Sequence, residues 1–177
     1  MNQHSTQFGV FVGRFNPLHL GHEWVIRHML EECGPTRCMV IMGSSNAPTS
    51  IRHFFSYSQR RHFLKEVFPN LKIVGIPDYG KDEDWLLALD DLISLNGLKP
   101  ESACFFSGSP EDVDFFVKDN RQVKLLDRFD GTTPTISATE VRDHLIHHKS
   151  LDGLVNPLII PEIEAQFQRQ WEDFKRK

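Results

Sequence analysis

A doubly wound α/β fold with a five-stranded parallel sheet is the architecture this sequence predicts, on three observations. Apolar strand-like runs alternate with helix-period segments along most of the chain. The stretches rich in Gly, Ser, Asn and His fall directly after those runs, where sheets of this kind bind ligands. The 177 residues, 40% of them hydrophobic, are enough to bury one good core. One domain over 1–177 is therefore expected, with its core at about 7–148 and a C-terminal helical segment at about 157–177.

The elements follow in order. Residues 8–12 form an apolar run that reads as a buried strand, and from Glu23 the apolar groups fall three and four apart, as on a helix. Residues 37–42 are a second strand. After a loop over 47–55, residues 56–68 read as a helix with Phe63, Leu64, Val67 and Phe68 on one face and Pro69 closing it. Residues 71–76 make a third strand, broken by Pro77-Asp78-Tyr79-Gly80. Residues 84–95 are helical, with Trp85, Leu86, Leu89, Leu92 and Ile93 as the apolar stripe and Asn96-Gly97 as the stop. A fourth strand over 102–106, a short helix over 111–118 and a fifth strand over 123–126 complete the alternation. Ser137 followed by Glu140 has the spacing of a capping box, so a helix should start there. Residues 160–177 read as a last amphipathic helix, suited to packing or to a contact between copies.

Composition narrows the function. A net charge of −4 argues against non-specific nucleic-acid binding, which needs a basic surface. No run of about 18 apolar residues is present, so no membrane span is expected. The polar start, residues 1–7, lacks the build of a signal peptide. Cys33, Cys38 and Cys104 form no CxxC pair, and the last two lie in strand-like runs, as reduced core thiols do. These features fit a cytoplasmic protein.

The chemistry concentrates at Gly13-Arg14-Phe15-Asn16-Pro17-Leu18-His19-Leu20-Gly21-His22. A strand, a tight Gly/Pro loop and a helix start form a phosphate-binding arrangement, because the first N–H groups of a helix have no partners within it and attract anions. His19 and His22 are three apart, so a first helical turn brings both imidazoles to one side. Ile136-Ser137-Ala138-Thr139-Glu140-Val141-Arg142 offers a second helix start with hydroxyls and a guanidinium. By itself it reads as a capped surface helix, yet it also suits a polyphosphate.

The first stretch resembles the G-x-F-x-P-x-H-x-G-H signature of the nucleotidyltransferase superfamily. The second resembles that superfamily's I-S-[ST]-T-x-[IVL]-R signature, with Ala138 where Ser or Thr is frequent. The resemblance implies a Rossmann-like, HUP-type fold. It also implies binding of ATP by Gly13, Arg14, Phe15, Asn16, Gly21, Gly108, Ser109, Ser137, Ala138 and Thr139, with His19, His22 and Arg142 as the catalytic groups. Many members carry a basic residue shortly before the serine. Here Arg128 is the nearest cation, and whether it substitutes is open.

Within the superfamily the chain most resembles archaeal-type nicotinamide-nucleotide adenylyltransferases, from Phe8 to about Leu145. Gly43 and Ser44, with Ser50-Ile51-Arg52 and Phe55, look like that family's loop after strand two, where the arginine meets the mononucleotide phosphate. Asp78, seven residues before Trp85, looks like its nicotinamide-recognition segment, and residues 106–110 look like its loop beside the adenosine. The likeness implies transfer of AMP from ATP to nicotinamide mononucleotide, with Mg²⁺ accompanying ATP and no resident metal. A Trp face can stack on a cationic ring and an Asp can accept from an amide. Pattern alone equally makes Trp85 helix core and Arg52 a solvated charge. Alternatives of the same chemistry use nicotinate mononucleotide or phosphopantetheine as acceptor, and one of another class is a non-catalytic nucleotide-sensing module. The partners expected are small molecules, with neither nucleic acid nor membrane and with a homo-oligomer possible.

Overall fold

A computed structural model of the chain describes residues 7–126 and 134–176. Its centre is a five-stranded sheet in the order β3-β2-β1-β4-β5, with all four pairings parallel. The strands are β1 (Phe8–Gly13), β2 (Cys38–Met42), β3 (Lys72–Gly75), β4 (Ala103–Ser107) and β5 (Gln122–Leu125). Between them run α1 (Leu20–Cys33), α2 (Tyr57–Val67), α3 (Asp82–Leu95) and α4 (Pro110–Lys118), and α5 (Ala138–Ile146) and α6 (Ile160–Lys175) follow. The expected alternation is present, with ends displaced by one to three residues. Single helical turns at Pro35–Arg37 and Pro100–Ser102, which the periodicity does not reveal, lead into β2 and β4.

Strand side chains alternate between two cores, as a pleat with period two requires. Phe8, Val10, Met39, Ile41 and Phe105 pack with Leu89 and Ile93 of α3 and Phe116 of α4. Phe11, Val40, Met42, Cys104 and Phe106 pack with α1, α2, α5 and α6. Helices thus cover both faces, which explains why the central strands read as continuous apolar runs. The order reverses between β1 and β4, and the crevice at the carboxyl ends of these two strands is the expected binding place.

All three cysteines are free and buried. Burial pushes the Cys38 thiol up to about 12 and that of Cys104 up to about 11, so both remain protonated, as core thiols do. The amphipathic face of α6 is covered within the chain. Phe167, Trp171 and Phe174 surround Phe54, and Gln166 and Gln170 bond to Gln59 of α2. No helix among the described residues is long and apolar enough to cross a membrane.

Candidate active site

The loop after β1 turns sharply through Phe15 at φ 50° and a cis Asn16–Pro17 bond. His19 then caps α1. Its carbonyl accepts from the backbone N–H groups of His22 at 2.9 Å and Glu23 at 3.1 Å, and its Nδ1 also accepts from His22 N–H at 3.3 Å. The two imidazoles stack with ring centroids 3.6 Å apart and planes 23° apart. The one-sided arrangement expected from the three-residue spacing is therefore present. Phe15 packs against His22 at 4.8 Å and meets Phe11 edge-on at 5.2 Å. Gly21 is a glycine for lack of space, since a Cβ there would lie 3.1 Å from the His19 ring and 3.3 Å from the Pro134 carbonyl.

The second signature joins the first through Arg142. Its guanidinium donates to the Asn16 carbonyl at 2.8 Å and to Thr139 Oγ1 at 3.1 Å. Ser137 caps α5, accepting from the Glu140 N–H at 3.1 Å. Burial lowers the pKa of Arg142, and its two bonds hold the loop after β1 against the start of α5. Asn16 is braced too, its Oδ1 accepting from Phe55 N–H at 3.1 Å.

A cavity of about 680 Å³ opens at the β1/β4 reversal. Of the residues anticipated for the site, Gly13, Arg14, His22, Gly43, Ser44, Asp78, Trp85 and Gly108 line it. Ser44, at φ 52°, donates its hydroxyl to Asp78 Oδ1 at 2.9 Å, and the Asp78 N–H donates to Asn46 Oδ1 at 2.9 Å. Trp85 is half-buried against the Phe115 edge at 5.8 Å and also forms cavity wall.

Other anticipated residues stand apart from this cavity. Arg52 is exposed on its loop and is not among the lining residues. Ser109, at the start of α4, makes no capping bond and donates its hydroxyl to Glu111 Oε2 at 3.3 Å. His19, Phe15, Asn16 and Gly21 lie behind the wall as its support. Ser137, Ala138 and Thr139 sit at the start of α5, beyond the lining. Arg128 lies outside the described residues.

Two groups escaped the sequence reading. Tyr79, Asp82, Glu111, Asp112 and Phe115 also line the cavity. Four carboxylates therefore face it, counting Asp78, alongside the single guanidinium of Arg14. Their signal was faint, since Asp82, Glu111 and Asp112 look like the acids usual in the first turn of a helix. The other group is Arg60, fully buried in α2. It stands on the apolar stripe with Phe63, Leu64 and Val67, three, four and seven residues on, and that placement was the signal. No three His, Cys, Asp or Glu side chains among the described residues converge to hold a metal.

The family model described as cytidylyltransferase-like matches residues 10–144. A nicotinamide-nucleotide adenylyltransferase of Thermococcus sibiricus is 24% identical, covering 88% of this chain and 82% of that protein. A phosphopantetheine adenylyltransferase of Christiangramia forsetii is 30% identical, covering 85% of this chain and 95% of that protein. A probable nicotinate-nucleotide adenylyltransferase of Fusobacterium nucleatum is 23% identical, covering 91% and 98%. Among solved structures, a bifunctional NMN adenylyltransferase/ADP ribose pyrophosphatase from Francisella tularensis superposes with a TM-score of 0.71 at 19% identity, over 82% of this chain and 44% of that one. This chain therefore spans less than half the length of that structure, and the likeness is one of fold.

Proposed function

This chain belongs to the cytidylyltransferase-like family, and on that premise we propose that it transfers AMP from ATP to nicotinamide mononucleotide, forming NAD and pyrophosphate. Adenylyl transfer is the activity named for all three relatives described above. The acceptor is where they differ.

One observation carries the choice of acceptor. The cavity has His22 and Arg14 at its β1 end, while Trp85, Tyr79 and the carboxylates of Asp78, Asp82, Glu111 and Asp112 line the remainder. An aromatic face among carboxylates suits a pyridinium cation with a neutral amide. A nicotinate carboxylate would meet the like charges of Asp78, Asp82 and Glu111 there, which costs affinity. Asp78, held by Ser44 and Asn46, is a fixed acceptor for an amide N–H.

In the reaction, an oxygen of the mononucleotide phosphate attacks the α-phosphorus of ATP. A new P–O bond forms as the bond to the bridging oxygen breaks, and pyrophosphate carries away the electron pair. The nucleophile is already anionic, so this chain's task is positioning and charge stabilisation. His22, on the cavity wall at the start of α1, meets the phosphates, and His19 supports it from behind by stacking on its ring and capping the helix. Arg14 holds the outer phosphates. Arg142, bonded to the Asn16 carbonyl and Thr139, orients the loop from behind. A solved neighbour from Francisella tularensis is described as complexed with AMP and a manganese ion. A Mg²⁺ accompanying the triphosphate would supply positive charge toward the leaving pyrophosphate.

The test is pyrophosphate release from ATP and Mg²⁺ with nicotinamide mononucleotide, nicotinate mononucleotide or phosphopantetheine. Turnover at least tenfold faster with the amide is expected, and preference for either other acceptor would overturn the assignment.

A further inference from the structure

A guanidinium removed from water is costly unless carbonyls or carboxylates take its protons. Arg60 is fully buried, and no carboxylate among the described residues pairs with it. Backbone carbonyls take protons from its two terminal nitrogens instead, while Nε is buried without a partner among the described residues. One terminal nitrogen donates to the Arg14 carbonyl at 2.6 Å and the Gly43 carbonyl at 3.0 Å, and the other donates to the Ser44 carbonyl at 2.9 Å. Burial holds its pKa down to about 10, still well above neutrality.

Those three carbonyls belong to the loops after β1 and β2, on two walls of the cavity. Each loop carries a left-handed non-glycine residue at or beside a clamped carbonyl: Phe15 follows Arg14, and Ser44 is held directly, at φ 50° and 52°. Such conformations are strained for residues other than glycine and persist only where the surroundings enforce them. Arg14 lines the phosphate end. Ser44 holds Asp78 at the other end. Arg60 itself does not line the cavity.

We propose that Arg60 is a positioning residue whose planar fork fixes the phosphate-binding loop and the acceptor-binding loop in one register. The proposal rests on the reading of this cavity as the adenylyl-transfer site. Lysine carries the charge but lacks the fork, so it cannot hold three carbonyls in fixed directions.

The experiment titrates ATP–Mg²⁺ and nicotinamide mononucleotide into wild type, Arg60→Lys, Arg60→Ala and Arg61→Met by calorimetry. The steady-state rate is measured alongside, at a temperature where melting curves show each variant folded. Arg60→Lys is expected to weaken both ligands about tenfold and to lower kcat by about 10- to 100-fold, the scale of a 1 Å misplacement. Millimolar guanidinium should restore part of the loss in Arg60→Ala and none in Arg60→Lys. The exposed Arg61→Met should match wild type. If Arg60→Ala does not fold, Arg60→Lys decides the matter. A folded Arg60→Lys with unchanged affinities and kcat would reduce Arg60 to a core residue and overturn the proposal, as would loss of one ligand alone. Failure of wild type to bind the mononucleotide would instead sink the acceptor reading, and the ATP arm with guanidinium rescue would still decide Arg60.

Discussion

The two ends of the cavity are built on different physical terms. At the β1 end, His19 and Asn16 are buried, the imidazoles stack, and backbone and side-chain bonds from Arg60, Arg142 and Phe55 brace the loop. At the α3/α4 end, Asp78, Tyr79, Asp82, Glu111 and Asp112 are exposed. There the two side-chain bonds reaching from the β2 loop to Asp78 are the main fixture. A group that stabilises developing charge must be held before the reaction starts, because reorganising it would spend the gain. A group that discriminates among acceptors works through charge and ring contact, and tolerates looser attachment. On the proposed reading, phosphoryl chemistry thus sits on the rigid end and acceptor choice on the open one.

The sharpest way to break this contrast is at the rigid end. His22→Ala should lower kcat by about 10²- to 10³-fold at saturating ATP while leaving the fold intact, the usual effect of removing one preorganised donor. Near-normal turnover would deny the histidine its role. At the open end, Trp85→Ala should raise KM for the mononucleotide about five- to tenfold, the worth of one ring contact. Its KM for ATP should stay unchanged. Equal rises in both would mean that Trp85 only supports α3. A smaller shift is expected when Asp82→Asn and Glu111→Gln are combined. With two carboxylates neutralised, the preference for the amide over the acid mononucleotide should fall about threefold at low salt, and less at 0.5 M salt, where screening takes over. An unchanged ratio would remove charge from the explanation of acceptor choice.

The smallest effect concerns His53, beside the rigid end. Its imidazole is held down to about 4, first by burial and then by the charges of Arg60, Arg14 and Arg142, with Asp78 opposing. Above about 6.5 it is neutral whether folded or not. Between 6.5 and 4 the unfolded chain takes up a proton that the folded chain refuses, so stability falls as pH drops through that window. His53→Gln has no such proton, and its urea midpoint should fall less between pH 7 and pH 5 than that of wild type. Equal falls would rule out His53 as a source of acid sensitivity.

The same contrast governs what could be read from the sequence. The strand–loop–helix carrying His19 and His22 was legible because a buried strand, a Gly/Pro loop and a cap must follow one another within a few residues. The sheet's class was legible from alternation alone. The carboxylates at the open end were not, because Asp82 and Glu111 serve α3 and α4 as ordinary first-turn acids and meet across the cavity only through tertiary packing. Arg60 was legible in principle, as a charge on an apolar stripe, but Arg61 beside it gave the pair the look of a solvated face. Arg52 shows the reverse: a charge that the family likeness singles out stays exposed on its loop, because Ser50 and His53 pair into a tight turn around it.

The most direct measurement is the initial rate of NAD formation from ATP, Mg²⁺ and nicotinamide mononucleotide, set beside the rate of dinucleotide formation with nicotinate mononucleotide under the same conditions. The account predicts NAD with stoichiometric pyrophosphate and a kcat/KM for the amide at least tenfold above that for the acid. Faster reaction of the acid, or ATP binding without turnover of either mononucleotide, would contradict it.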